Sequence, residues 1–425
     1  MREIIVRVLT CVMAASLIVA NLTGCGFGKN EGKINIVQGG NGNTTAGKTY
    51  QAPIVEEAKT VNEKNIKPAD EEKLDEQREE LGIDDDSISD IKKTSTKYYC
   101  YSVMDSSLHD LYAEIYTILM EEGEDVKVSA TSDEDLKYAF QCVFNDHPEI
   151  YWVDGFSYVR HEQNGEVLYY TFTGKYTYTV DERRVMQVDI DAYTSRALSG
   201  ISSTASEYDK VKYVYEYLIE HTEYDLMAEE NQNILSVFKN GRSVCSGYAK
   251  AMQYLLYKLG VECTIVVGKV YTGEGHAWNL VNIDGSYYYV DVTWGDASYI
   301  LDGEVASSDD MPINYDYLNV TTSELLQTHI IDNVVPMPVC ISTEANYYNH
   351  EGAIFYGYDY SRMYNLFANA YAEGKSVVTI KCSDAIAYQD VYEELVTNQH
   401  VFEFLQGTSV SFTVTEDTYT MNFWL

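Results

Sequence analysis

The sequence predicts an α+β protein in which a helix packed on an antiparallel sheet forms a central unit, flanked by two smaller α+β modules. Three observations support this fold class. Amphipathic segments with the 3.6-residue period of a helix occur in each part of the chain. Alternating apolar runs, typical of strands, surround the turn-forming dipeptides Asn164-Gly165 and Asp284-Gly285. The length of 425 residues is too great for one compact core, so several domains are expected.

Composition and charge restrict the classes of function. A formal net charge of -36 argues against nucleic acid as a partner, because phosphate binding needs basic patches. Hydrophobic residues make up 45% of the chain, which is enough for globular cores. The 39 tyrosines favour half-exposed sheet faces over platforms that stack on carbohydrate. The sequence leaves the oligomeric state open.

Residues 1–24 are expected to be a lipoprotein signal peptide. Arg2 and Arg7 precede an apolar run that ends in small residues. The stretch Leu22-Thr23-Gly24-Cys25 resembles the bacterial lipobox, which implies cleavage before Cys25 and lipidation of its sulfur. Two or more acyl chains would anchor the protein stably at the extracellular face of the cell membrane. The alternative is an ordinary secretory signal or an uncleaved anchor.

The rest of the chain divides by composition into four segments. Residues 25–95 are rich first in Gly and Asn and then in charged residues, which indicates a flexible acidic tether or stalk. Residues 96–200 predict an N-terminal α+β module with two helices and a hairpin at Asn164-Gly165. Residues 205–334 form the predicted central core. Residues 335–425 predict a C-terminal α+β module without evident chemistry.

A cysteine lies at the start of the central helix. Apolar residues recur at helical spacing between Gly241 and Gly260, and Cys245 falls in the first turn. The N-terminus of a helix carries partial positive charge and unpaired N–H groups, so it favours a thiolate over a thiol. The alternative is that Cys245 is a small buried hydrophobe, as most free cysteines are.

A histidine and an aspartate follow on a predicted hairpin. If Asp284-Gly285 is a two-residue turn, Ile283 faces Ser286, and His276 would face Thr293. His276 and Asp291 are then diagonal neighbours on one sheet face, roughly 7–8 Å apart at the backbone. A turn with an odd number of residues would place them on opposite faces.

Together these three residues have the chemistry of a thiol acyl-transfer triad. Cys245 would attack an amide carbonyl as a thiolate, and His276 would stabilise the thiolate and protonate the leaving amine. Asp291 would fix the imidazole ring. The candidate substrate-binding residues are Trp278, Trp294, Gly275 and Tyr248.

The other cysteines indicate neither a metal site nor a disulfide framework. After Cys11 and the lipidated Cys25, six scattered cysteines remain: Cys100, Cys142, Cys245, Cys263, Cys340 and Cys382. Because they contain no C-x-x-C pair, no zinc site is indicated, and no metal or cofactor is expected.

The central segment also resembles the transglutaminase-like superfamily, relatives of the papain-like thiol enzymes. The resemblance rests on "GRSVCSGYAKAMQYLLYKLGVEC", on "GHAWNLVNIDGSYYYVDVTW" and on "IEHTEYD". It implies a papain-like core with Cys245 as nucleophile, His276 as general base and acid, and Asp291 as orienting residue. It also implies an oxyanion hole made by the Cys245 N–H and a second donor. Lys239 stands where papain-like enzymes have a glutamine for that purpose.

Three functions remain open at this stage. The leading one is a surface-anchored thiol enzyme acting on protein or peptide amides, by hydrolysis as a peptidase or amidase or by transfer to an amine. The second is a catalytically inactive scaffold that binds cell-wall glycan or a protein partner. The third, a metal-dependent hydrolase, lacks any His or Cys pair at ligand spacing.

Overall fold

The computed structural model describes residues 33–36, 50–56, 59–63, 68–296, 300–301, 304–305 and 312–425. The expected signal peptide and the lipidated Cys25 lie outside these residues. The described residues form a large hydrophobic core spanning Ile83–Ala345, a smaller one spanning Phe355–Phe423 and a small apolar cluster around Cys245. The six described cysteines are all buried and free. No described helix has the length and apolar character needed to cross a bilayer.

The first part of the chain builds a sheet covered by helices. Its strands pair in the order β2-β5-β6-β4, and β3 also pairs with β5. In chain order the elements are β1 (Lys33–Ile36), β2 (Ile54–Val55), β3 (Lys59–Asn62), α1 (Pro68–Glu80), α2 (Asp85–Ser95), α3 (Tyr99–Val103), α4 (His109–Glu121), β4 (Val126–Val128), α5 (Asp133–Asp146), β5 (Val153–Gln163), β6 (Glu166–Tyr176) and α6 (Val180–Ala197).

The central part packs a helix against a four-stranded antiparallel sheet of order β11-β10-β9-β14. The helix α9 is the one that begins with Cys245. The elements are α7 (Glu207–His221), β7 (Glu223–Tyr224), α8 (Ile234–Asn240), β8 (Arg242–Ser243), α9 (Cys245–Lys258), β9 (Cys263–Val270), β10 (Gly275–Ile283), β11 (Ser286–Val290), α10 (Val292–Gly295), β12 (Ile300–Leu301), β13 (Glu304–Val305), α11 (Thr322–Leu325) and β14 (His329–Ile331).

The last part forms a third sheet, in which the strands follow the order β1, β17 (Ser409–Thr415), β18 (Thr420–Trp424), β16 (Val377–Cys382) and β15 (Ile354–Phe355). Strand β1 joins it by parallel pairing with β17, so the chain returns near its end to a segment near its start. The elements are α12 (Tyr347–His350), β15 (Ile354–Phe355), α13 (Tyr360–Glu373), β16 (Val377–Cys382), α14 (Ala385–Tyr392), β17 (Ser409–Thr415) and β18 (Thr420–Trp424). With helices and mostly antiparallel strands in separate blocks, the fold class is α+β, as predicted.

The N-terminal and central parts share the large core. The side-chain amide of Gln253 in α9 donates a 2.6 Å hydrogen bond to the carbonyl of Asn145 in α5. The Cys100 thiol in α3 lies 3.5 Å from the Thr264 hydroxyl in β9. The large core also extends past the predicted boundary at residue 334, because Val335, Cys340 and Ala345 belong to it.

The segment predicted as a tether differs from expectation in its second half. Strands β2 and β3 pair with β5 of the N-terminal sheet, α1 packs against β4 and α2 against α4. Arg78 forms a 2.8 Å ion pair with Glu114, a side chain that is almost fully buried. Ile83 is only 4% exposed. The charged composition suggested a solvated stalk, but these few ion-paired and apolar contacts are sufficient to hold it on the module.

Close packing fixes the start of α9, where Gly247 lies against two serines. The hydroxyls of Ser236 and Ser243 are 2.6 Å apart in a buried hydrogen bond. A Cβ placed on Gly247 would lie 1.9 Å from the Ser243 oxygen and 2.7 Å from the Ser236 oxygen. The glycine of the Cys-Ser-Gly-Tyr motif is therefore required by a close approach, and this approach sets the position of the helix end that carries Cys245.

We expect Gly247→Ala to destabilise the protein, because the added methyl group overpacks this contact, at a cost of about 1–3 kcal/mol. Urea unfolding followed by circular dichroism measures the loss. The double variant Ser243→Ala/Gly247→Ala removes the nearer oxygen and should recover part of it. Equal stability of Gly247→Ala and the wild type would contradict the close approach.

Candidate active site

The hairpin that carries His276 has the turn expected from the sequence. Asp284 and Gly285 have φ angles of 51° and 81°, and Ile283 pairs with Ser286. Positive φ at both turn residues is the requirement of a type I′ turn, which Asp-Gly satisfies. Strand β11 ends at Val290, however, so the expected pairing of His276 with Thr293 does not form. Asp291 instead leaves the sheet and caps α10, accepting the Trp294 N–H at 3.0 Å.

His276 and Asp291 form a buried hydrogen-bonded pair. The Nε2 atom of His276 lies 2.6 Å from Oδ2 of Asp291, and the two residues are 5% and 1% exposed. At this distance the hydrogen bond is charge-assisted and fixes both the ring and the carboxylate. The structure therefore joins these two predicted residues through their side chains.

The interaction moves the pKa values of the two residues in opposite directions. Burial disfavours the charged ring, but the charges of Asp291 and Cys245 outweigh burial and raise the pKa of His276 to about 10. Burial acts against the carboxylate too, yet the charge and hydrogen bond of His276 hold the pKa of Asp291 well below its usual range. At neutral pH the pair is therefore an imidazolium facing a carboxylate.

Cys245 is the third member of this group. It is the first residue of α9, and its side chain interacts with that of His276, which contributes to the raised pKa of the ring. Because Nε2 of His276 is bonded to Asp291, Nδ1 is the ring nitrogen left to face the thiol. The sulfur thus lies at the N-terminus of a helix and beside an imidazolium.

The thiol is covered by the chain's own residue Tyr50. Its ring packs against the small apolar cluster that contains Cys245, Ala249 and Ala277. The Tyr50 N–H donates a 3.4 Å hydrogen bond to the carbonyl of Gly275. Burial, with the nearby charges of Asp332 and Cys245, raises the pKa of Tyr50 to about 12. With this ring in place, Cys245 has an exposed fraction of 0%.

The four predicted substrate-binding residues have different surroundings. Gly275 lies beside the main chain of Tyr50, and half-buried Trp294 lies 6.1 Å from the His276 ring, centroid to centroid. Trp278 is 1% exposed, with its ring 5.8 Å from that of His276. Tyr248 is fully buried, and its hydroxyl bonds to the carbonyl of Thr222 and to the carboxylate of Asp296, each at 2.7 Å.

Tyr248 and Trp278 are enclosed in this conformation, as Cys245 is. The Tyr248 hydroxyl braces the core through Thr222 and Asp296, and Trp278 lies on the same face of β10 as His276. Contact of either side chain with a substrate therefore stays a prediction.

Sequence reasoning missed three residues near the site: Tyr50, Tyr224 and His329. Tyr50 lies within the segment predicted as a tether, and His329 belongs to none of the motifs in the sequence. His329 in fact bonds Oδ2 of Asp291 at 3.0 Å through its Nε2 atom. No local pattern signals this contact, because it depends on the pairing of β14 with β9.

The same cluster has the composition of a metal site. His276, Asp291 and His329 offer ligand atoms within 4.8 Å of one another. These groups already hydrogen-bond one another, because both ring Nε2 atoms lie at hydrogen-bonding distance from Oδ2 of Asp291.

Comparisons with known proteins place this site in a family. Residues 195–292, which include Cys245, His276 and Asp291, match the family model of the transglutaminase-like superfamily. This part of the chain is a transglutaminase-like domain.

Individual relatives share only parts of the chain. Human kyphoscoliosis peptidase is 26% identical over 141 residues, which are 28% of this chain and 21% of that protein. The chain thus spans about a fifth of the length of this relative. Among solved structures, a TGase covers 33% of this chain and 44% of its own, with 20% identity and a TM-score of 0.24. The periplasmic domain of TgpA from Pseudomonas aeruginosa covers 30% and 55%, with 16% identity and a TM-score of 0.20.

We expect Tyr50→Ala to speed the alkylation of Cys245 by iodoacetamide about tenfold or more. Removing a mostly buried aromatic ring weakens local closure by more than the roughly 1.4 kcal/mol that a factor of ten requires. Peptide mass spectrometry measures the rate at each cysteine. Tyr356→Ala, at a tyrosine that is 77% exposed, is the control and should label like the wild type. Equal rates in all three proteins would show that Tyr50 does not limit access.

Proposed function

We propose that the transglutaminase-like domain makes this chain a thiol acyl-transfer enzyme that acts on protein or peptide amide bonds through a thioester. The proposal rests on one arrangement, in which Cys245 at the N-terminus of α9 shares His276 with buried Asp291. A nucleophile, a base and a group that orients the base are the parts that covalent acyl transfer requires.

The first half-reaction forms the thioester. The Cys245 thiolate attacks the amide carbonyl and gives a tetrahedral oxyanion. As the C–N bond breaks, the His276 imidazolium donates its proton to the departing amine. Asp291 keeps the ring in the orientation needed for this transfer and stabilises its positive charge when it is protonated.

The second half-reaction decides between two enzymes. If water attacks the thioester, His276 accepts a water proton, the C–S bond breaks and Cys245 leaves as a thiolate, and the product is a carboxylic acid. If a primary amine attacks, the same proton transfers give a new amide bond and a cross-link. Both routes use the same three side chains, so the residues of the triad do not distinguish them.

The oxyanion needs donors, and two groups near Cys245 fit this role. The first is the Cys245 N–H at the start of α9. The second is the hydroxyl of Tyr224, in β7, which pairs with β8 immediately before Cys245. Burial and the charges of Cys245 and Asp291 raise the pKa of Tyr224, so the phenol stays protonated. Among the described residues, none hydrogen-bonds this hydroxyl, which leaves it available to an oxyanion.

We place the enzyme at the extracellular face of a bacterial membrane, held by lipid on Cys25. The support for this location is the sequence of residues 1–25, with its basic start, apolar run and lipobox-like end. The expected partners are a protein or peptide substrate and the membrane. The charge of -36 disfavours nucleic acid.

One observation favours the second function, a binding scaffold. Cys245 is completely covered, and an uncovered thiol is necessary for turnover. Tyr50 packs against the cluster that contains Cys245. If the protein is a binding scaffold, removing the Tyr50 side chain will produce no activity.

We expect Cys245→Ala and His276→Ala each to lower turnover at least about a thousandfold, because triad members act as a unit. The assay incubates the protein, and its Tyr50→Ala variant, with casein and a fluorescent primary amine. Released peptides report hydrolysis, and amine incorporated into casein reports transfer. Cys263→Ala, at a buried cysteine outside the site, should retain turnover.

The outcomes separate the proposed functions. Peptides or labelled casein that require both Cys245 and His276 support the enzyme. Neither product, even with Tyr50→Ala, contradicts it for this substrate class and supports the scaffold. Activity that survives Cys245→Ala but is lost with a chelator would support a metal-dependent hydrolase.

We expect Tyr224→Phe to lower kcat by about 10²–10³, with little change in KM, because an oxyanion donor acts in the transition state. The kinetics of the product formed in the assay above measure both constants. Tyr217→Phe is the control, since the Tyr217 hydroxyl is buried and has no hydrogen-bond partner among the described residues. A loss of the same size in both variants would show that Tyr224 has no specific role.

A further inference from the structure

His329 is completely buried beside the catalytic carboxylate. It is the first residue of β14, and its exposed fraction is 0%. Its Nε2 atom lies 3.0 Å from Oδ2 of Asp291, the oxygen that His276 contacts at 2.6 Å. Two histidine rings therefore contact the same carboxylate oxygen. They come from β10 and β14, the two strands that flank β9 in the sheet.

The tautomer of His329 follows from its contacts. Burial lowers the pKa of His329, which keeps the ring neutral with a single N–H. The Asp291 carboxylate can only accept a hydrogen bond, so the hydrogen is on Nε2. The other nitrogen, Nδ1, lies 2.8 Å from the Thr328 hydroxyl and accepts its hydrogen. Both ring nitrogens are thus used, and the ring is held from both sides.

The sheet holds this ring in place through a glycine. Strand β14 pairs with β9, with Ile331 opposite Gly268. A Cβ on Gly268 would lie 2.0 Å from the carbonyl oxygen of Ile330 and 2.8 Å from the Trp278 ring. Without a side chain at this position, β14 approaches closely enough for His329 to contact Asp291.

The surroundings of His329 contain few groups that titrate. The titratable groups facing its ring are Asp291, His276 and Tyr317, the last with its ring 5.6 Å away. The remaining ring neighbours are Trp278 at 5.0 Å and Trp294 at 4.7 Å, which carry no charge. In this apolar setting a hydrogen bond to the carboxylate is strong, and its loss is costly.

Asp291 is consequently held by three donors. The ring N–H groups of His276 and His329 bond to Oδ2, and the Trp294 N–H bonds to Oδ1. The Trp294 contact fixes one oxygen to the backbone of α10. The His329 contact fixes the rotation of the carboxylate about that point, so that Oδ2 faces His276.

We propose that His329 is a positioning residue for the triad: it donates its Nε2–H to Asp291 and holds the carboxylate in the orientation that binds the His276 imidazolium. This role rests on the proposed function. It requires no contact between His329 and substrate.

The test measures the titration of His276 in the full chain. The protein is produced with isotope-labelled histidine, and the His276 signals are assigned with His276→Gln. In His329→Leu, which removes the donor, the pKa of His276 should fall by about one unit or more, a tenfold change in proton affinity. In His329→Gln, whose amide N–H can occupy the Nε2 position, it should return toward the wild-type value.

A buried histidine elsewhere supplies the control. His147 is 4% exposed and bonds to Glu149 at 2.8 Å and to the Tyr112 hydroxyl at 3.0 Å. The variant His147→Leu makes the same change in a similar environment, and it should leave the pKa of His276 unchanged. Thermal unfolding of each variant shows how much stability is lost.

Two results would overturn the proposal. His329 only fills space if His329→Leu loses stability but leaves the pKa of His276 unchanged or higher. The same conclusion follows if the pKa of His276 in His329→Gln is no closer to the wild-type value than in His329→Leu. If one equivalent of Zn²⁺ shifts the signals of both His276 and His329 and a chelator reverses the shift, the cluster is a metal site. The test measures the pKa of the His276 ring and not turnover. It therefore remains informative if Cys245 is inert and the proposed function fails.

Discussion

The buried carboxylate of Asp291 is the constraint on which the site depends. An ionised carboxylate that is 1% exposed is stable only if donors satisfy it, and Asp291 has three of them. They come from β10, from β14 and from the first turn of α10, so a single side chain connects three elements that are separate along the chain. The same negative charge raises the pKa of His276 to about 10, which makes the histidine an imidazolium beside Cys245. The hydrogen bond that satisfies the buried Asp291 carboxylate from β10 is therefore also the contact that keeps His276 charged beside Cys245.

The sequence predicts those parts of the site that local rules determine. Asp284-Gly285 specifies a two-residue turn, and this turn fixes the register of β10 with β11. The helical period and the flanking glycines specify α9, with Cys245 at its start. The proximity of His276 and Asp291 followed from the hairpin, although the ladder ends at Val290, before the expected pairing of His276 with Thr293, and Asp291 reaches His276 as a helix cap. His329 could not be found in this way, because it meets Asp291 only when β14 pairs with β9, and that pairing is not encoded near either residue.

Division into modules was harder to predict for a related reason. Composition marks where a chain is polar, but it does not show which apolar faces meet. The N-terminal helices α3 and α5 pack against β9 and α9 through contacts such as Gln253 to Asn145 at 2.6 Å, so the transglutaminase-like domain and the N-terminal part share a core. Strand β2 illustrates the same limit, because a Cβ on Gly155 would lie 1.9 Å from the carbonyl oxygen of Ile54. The close approach of β2 to the N-terminal sheet therefore depends on Gly155, a residue far from β2 in the sequence.

The segment 50–56 gives this shared core a consequence for the thiol. At one end it is attached to the transglutaminase-like domain, where the Tyr50 N–H bonds to Gly275 and the Gln51 N–H bonds to the side chain of Gln232 at 2.9 Å. At the other end β2 pairs with β5 of the N-terminal sheet, and the Glu56 N–H bonds to the carbonyl of Phe156 at 3.1 Å. Because these attachments involve two different sheets, the position of the Tyr50 ring beside Cys245 depends on the packing of both.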